Sequence, residues 1–203
     1  MPFPTAPPPG RFVALDVEMT GNPPVDGRCI VELGAVEIVD GRLTGAEWVS
    51  RFDPQAPINP IASGIHGIRQ ADLAGCPLFA DKVDELLRFI DGAPLVMHGA
   101  SGDLHALHVE LAALGRPRLA SPVICTVKCA QRHWPGERAR LNDLAARVGL
   151  DLGGRGRRRG HGALGDARLT ALIWLAMGGP VPEQPRPRRR RRRGSAPGGG
   201  DGA

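Results

Sequence analysis

Two carboxylates one residue apart, placed at the end of a short apolar run, constrain this 203-residue chain more than any other stretch. The run is Phe12-Val13-Ala14-Leu15, and it leads into Asp16-Val17-Glu18-Met19-Thr20-Gly21. Its length and apolar, partly β-branched character predict a buried strand. If the strand continues through Glu18, its period of two sends Asp16 and Glu18 to the same face. Two acids so placed repel each other and lose solvation, and a bound cation is the usual remedy. Hard divalent ions such as Mg²⁺ take oxygen ligands of this kind. Taken alone, the pair is equally compatible with an accident at a fraying strand end.

The remaining pattern predicts a mixed sheet covered by helices. A second strand over 28–39 ends at Asp40-Gly41, a hairpin signal, and 46–52 reads as the returning third strand. Residues 54–60 read as loop, and Ile65-His66-Gly67-Ile68 as a Gly-flanked stretch outside regular structure. Apolar residues at Val83, Leu86, Leu87 and Ile90 predict an amphipathic helix over 78–90. A short strand at 93–97 turns into a helix running to about 114, and a further strand falls at 123–125. Helices are expected near 126–132, 139–148 and 161–177, the last stopped by Gly178-Gly179-Pro180. Antiparallel strands first, then alternating helices and strands, place the fold in the α/β class.

Charge divides the chain into three parts. Residues 180–203 hold seven of the 26 basic side chains and two of the 21 acidic ones, so 1–179 balance at 19 against 19. The formal net charge of +5 therefore belongs to the tail. Rich in Pro, Arg and Gly, the tail is expected to be disordered, as is the Pro-rich lead-in 1–10, which leaves 11–179 as one domain. Hydrophobic residues make up 42%, enough for a packed core, with no apolar run that could span a membrane and no secretory signal pattern. Four cysteines, Cys29, Cys76, Cys125 and Cys129, are too few for a disulfide scaffold of this size and suit a reduced, cytoplasmic compartment.

Three more groups belong with the first acid pair. Asp103 stands where a loop enters a helix, and His161 and Asp166 open the last helix in His161-Gly-Ala-Leu-Gly-Asp166. On an ideal helix a five-residue spacing leaves two side chains roughly 140° apart, so His161 must sit on the loop side of the helix start. Asp-x-Glu, Ile-His-Gly-Ile, His-x-Ala-Ser-x-Asp and His-x-Ala-x-x-Asp, in this order, resemble the DEDDh family of 3′–5′ exonucleases. Its members include proofreading subunits of DNA polymerases and stand-alone ribonucleases.

The resemblance covers roughly residues 11–177 and implies a ribonuclease-H-like, five-stranded mixed sheet flanked by helices. It implies that Asp16, Glu18, Asp103 and Asp166 hold two Mg²⁺ or Mn²⁺ ions, Asp16 bridging both, and that His161 is the general base. The chemistry agrees: two ions ~4 Å apart supply a hydroxide-like nucleophile and stabilise the leaving oxygen. An imidazole with a pKa near 6.5 accepts the water proton at neutral pH. By the same resemblance Met19, Thr20, Gly21 and His66 lie beside the terminal nucleotide. The implied substrate is single-stranded DNA or frayed DNA 3′ ends, acted on either by a stand-alone nuclease or by a proofreading subunit with a DNA polymerase as partner, and no membrane is involved. An exoribonuclease acting on short RNA is the alternative, and a non-catalytic nucleic-acid binder is a third reading.

The chain departs from the family where Asn usually follows the His of the third motif and Phe precedes its Asp; Gly99 and Gly102 stand there. Arg157 and Arg158, in the Arg-rich loop just before His161, are placed to touch phosphates, although solvated surface charge explains them too. The run 188–193 is either a sequence-independent nucleic-acid contact or a solvated tail. His98, His105 and His108 surround Asp103 in sequence and are read as packed or exposed histidines. Cys125, Cys129 and His133 recur every four residues, as if on one helix face, but lack a fourth ligand for zinc.

Overall fold

The computed structural model describes residues 9–21, 29–150 and 162–179. Most of the lead-in, the Arg-rich loop with Arg157 and Arg158, His161, and the tail lie outside the described residues. Five strands, β1 (Arg11–Met19), β2 (Ile30–Val39), β3 (Arg42–Arg51), β4 (Leu95–Met97) and β5 (Val123–Cys125), form one sheet in the order β3-β2-β1-β4-β5. β1 pairs antiparallel with β2, and β2 with β3, whereas β1–β4 and β4–β5 are parallel. The sheet is therefore mixed, and β1 is its central strand.

Alternation along β1 sorts the core into two layers. Val13, Leu15 and Val17 join the apolar cluster under α2 (Phe79–Ile90) and α3 (Ser101–Ala113). Phe12 and Ala14 face the other cluster, under α4 (Thr126–His133), α5 (Leu141–Arg147) and α6 (Ala163–Ala176). Phe12 meets Trp174 of α6 there, with ring centroids 4.8 Å apart. Asp16 and Glu18 continue the Phe12–Ala14 face. Where the apolar residues stop, that face turns acidic at the carboxyl end of the central strand.

Two elements differ from the sequence expectation. The hairpin at Asp40-Gly41 is tight, so β3 begins at Arg42 rather than at 46; Gly41 supplies a φ of 77°. A helix, α1 (Pro60–His66), takes in the end of the expected loop 54–60 and the start of the stretch 65–68 expected to be irregular. Asn59 caps it, its Oδ1 accepting from Ile61 N at 2.8 Å, and Pro60 opens the first turn. Gly67, at φ 78°, closes it by donating to Ser63 O.

Candidate active site

The acid pair faces the start of the last helix. Asp16 lies opposite Gly34 on β2, and Glu18 lies opposite Glu32, so all four share the α6 side of the sheet. Gly34 is what lets α6 come down onto it. A Cβ at position 34 would lie 2.2 Å from Leu164 N and 2.4 Å from Leu164 Cα. Through this gap the first turn of α6 delivers Asp166, which is buried, to the pair. One carboxylate oxygen from each of Asp16, Glu18 and Asp166 lies within 4.8 Å of the others, the only such metal-compatible group among the described residues.

Asp103, in the first turn of α3, lies close enough for its charge to act on Asp16 and Glu18 but outside that tight trio. Burial, followed by the charges of Asp103, Glu18, Asp166 and Glu32, raises the Asp16 pKa well above the usual carboxylate value. Burial pushes Glu18 up to about 8, reinforced by Asp166, Glu32 and Asp103. Burial alone raises Asp103 to about 7. A protein gains nothing in stability from crowding acids that resist ionising. An all-oxygen donor set of this kind, held close and out of water, fits a hard divalent cation.

Glu32 is excluded from that set by its own bonds. Its Oε1 accepts from Ala163 N at 2.8 Å and its Oε2 takes Arg51 Nε at 2.7 Å. It and Gly34 are the site residues that the sequence reading did not single out. The signal was present: Glu and Gly interrupt the apolar run Ile30-Val31-Glu32-Leu33-Gly34 with the same period of two as Asp16 and Glu18.

A cleft of about 460 Å³ opens beside Glu18. Met19 and Gly21 line one wall, and α1 forms the other with Ile61 and Ile65, apolar side chains left 75% and 58% exposed. The Thr20-Gly21 turn is held by backbone bonds, Thr20 N to Cys29 O and Asn59 N to Thr20 O, both 2.7 Å. Gly102 also lines the cleft, and neither it nor Gly99 has any atom within 4 Å of where a Cβ would stand. The departures from the family pattern thus leave open space rather than a collapsed wall.

The histidines divide by their partners. His66 is buried; its Nδ1 accepts from Ile68 N at 3.0 Å, which leaves Nε2 to donate to Met19 O at 3.2 Å. Burial lowers its pKa, so the ring is a neutral strut tying the end of α1 to β1. His98 meets the Thr126 hydroxyl through Nδ1 at 2.8 Å and also bonds the Ala139 backbone; burial lowers its pKa as well. His105 is exposed. Cys125 is the last residue of β5, not part of α4, so it does not share a helix face with Cys129 and His133 as expected. All four cysteines are free thiols.

A five-stranded mixed sheet carrying carboxylates at the end of its central strand, met by acids from two flanking helices, defines a ribonuclease-H-like nuclease. The family described as exonuclease (RNase_T) matches residues 13–174, and the chain belongs to it. It is 38% identical over 177 residues to the DNA polymerase III subunit epsilon of Salmonella typhimurium, an alignment covering 83% of this chain and 72% of that relative. Exonuclease X, solved in complex with 5′ overhanging duplex DNA, superposes with a TM-score of 0.63 at 26% identity, over 82% of this chain and 90% of that one. The nuclease domain of 3′hExo, a DEDDh family member bound to rAMP, shares the fold with a TM-score of 0.66 at 16% identity, covering 82% and 90%. The chain is a 3′–5′ exonuclease of a divalent-metal-dependent family. No helix among the described residues is long and apolar enough to cross a membrane.

Proposed function

We propose that the chain removes nucleotides from the 3′ ends of single-stranded or frayed DNA, using two Mg²⁺ or Mn²⁺ ions, and that it does so as a proofreading partner of a DNA polymerase. The observation that carries the site assignment is the convergence of Asp16, Glu18 and Asp166 within 4.8 Å beside an open cleft. Asp16, Glu18 and Asp166 would hold the ions, with Asp103 beside them completing the ligand set. Bound there, the ions supply Lewis-acid activation of water and neutralise charge on the leaving oxygen.

The chain's own groups do the rest. Ile61 and Ile65 offer the terminal base an apolar wall, and the pinned Thr20-Gly21 turn presents backbone to the sugar. His161, two residues before α6 begins, takes a proton from the attacking water at a ring nitrogen. Arg157 and Arg158 steady the phosphates. Both ring nitrogens of His66 are engaged and His98 is held by Thr126, which supports His161 as the base. The polymerase role draws its support from the subunit epsilon relative, and the DNA substrate from that relative and from exonuclease X.

The test uses 5′-labelled DNA and RNA oligomers of matched sequence, with Mg²⁺ and with EDTA. The proposal expects a ladder shortening from the 3′ end, faster on DNA than on RNA, and none in EDTA. Faster RNA degradation would assign the chain to the exoribonuclease alternative. Products released only from the 5′ end would overturn the assignment.

A further inference from the structure

We propose that Glu32 is a positioning residue: a carboxylate supplied by β2 that caps the N-terminus of α6 and so sets Asp166 against the central strand. A helix start leaves backbone N–H groups without partners inside the helix, and Gly162, at the cap position of α6, has no side chain to satisfy them. Glu32 Oε1 fills that role from across the sheet, accepting the Ala163 N–H at 2.8 Å. A charged acceptor at the positive end of a helix forms a stronger bond than a neutral one. Its other oxygen accepts from Arg51 Nε at 2.7 Å, so both oxygens are engaged.

Three features separate this role from metal ligation and from mere packing. Both carboxylate oxygens are engaged, and Glu32 is absent from the group of mutually close donors. It stands directly opposite Glu18 in the β1–β2 register, on the strand next to the one that carries the site. Gly34, two residues on and on the same face, removes the side chain that would hold the helix off. Cap and gap together fix both the height and the approach of α6.

The role for catalysis rests on the nuclease reading above, but the cap itself does not, and the experiment separates them. Amide exchange is measured site by site in the metal-free protein, and kcat and KM on a labelled single-stranded oligomer, for wild type, Glu32→Ala, Glu32→Gln and Arg51→Ala. In Glu32→Ala, exchange at Ala163 should rise about tenfold while the β1 and β2 amides keep their protection. Its kcat should fall about tenfold or more with KM little changed, because Asp166 loses its alignment with the β1 acids rather than the substrate its cleft. Glu32→Gln keeps an acceptor for Ala163 and should restore protection and most of the turnover; Arg51→Ala should stay within a few-fold of wild type. Unchanged exchange at Ala163 in Glu32→Ala would overturn the proposal, and so would a Gln variant as defective as the Ala variant. Exchange behaving as expected in a wild type that hydrolyses no oligomer would uphold the cap and remove only the nuclease reading.

Discussion

Glu18→Gln should make the metal-free protein more stable at alkaline pH while abolishing its activity. The Glu18 carboxyl titrates at about 8 in the fold against 4.5 in an exposed chain, because burial and three neighbouring acids disfavour its charge. A folded-state pKa raised above the unfolded one means that the native state binds the extra proton between the two values. Stability from this group is complete below about pH 4.5 and is lost as pH climbs through 8. The full loss is on the order of 4–5 kcal/mol, shared with the coupled acids Asp16 and Asp103. Gln has nearly the same shape and no charge to bury. In EDTA the two proteins should unfold alike near pH 4, and by pH 8.5 the variant should lead by about 10 °C. Added Mg²⁺ should then raise wild type strongly and the variant weakly, because binding to the native state alone adds stability by mass action. Parallel melting curves for the two proteins across pH 4–9 in EDTA would refute the reasoning.

Other perturbations follow from the same geometry. Gly34→Ala places a methyl group 2.2 Å from Leu164 N, and backbone cannot move aside as a side chain can; unfolding stability should fall by at least about 3 kcal/mol, read by urea denaturation. His161→Ala should lower turnover by ~10²–10⁴-fold with Mn²⁺ affinity retained, checked by single-turnover kinetics beside a metal titration. Ca²⁺ should support DNA binding with little turnover, seen in a filter-binding assay run in parallel with the oligomer ladder. Deleting 181–203 removes seven Arg, and the log–log salt dependence of binding should become shallower by several units if all engage phosphate, with kcat unchanged.

The sheet and the acid cluster were legible in the sequence because an apolar strand whose one face turns acidic at its end announces which residues converge. Asp16 and Glu18 extend the face begun by Phe12 and Ala14, and that alternation is a one-dimensional signal. The helix α1 was not legible, since a seven-residue helix with an internal glycine has too little periodicity to stand out. Nor was the work of Glu32, which depends on a bond across 131 residues to Ala163, a contact that only the fold creates. The neutrality of His66 and His98 likewise follows from who their ring nitrogens meet, and Met19 O, Thr126 and Ala139 are neighbours only in three dimensions. Chemistry that lies within one element can be read from its spacing; chemistry assembled from several elements needs their packing.

The central claim is that the acid cluster on β1 and α6 is the catalytic metal site, with Asp16 shared between two ions. A Mn²⁺ titration followed by electron paramagnetic resonance, on wild type and Asp16→Ala, tests it most directly. The account predicts two bound ions per wild-type chain, and loss of tight binding of the second, with no hydrolysis, in Asp16→Ala. Two tightly bound ions in Asp16→Ala would contradict it.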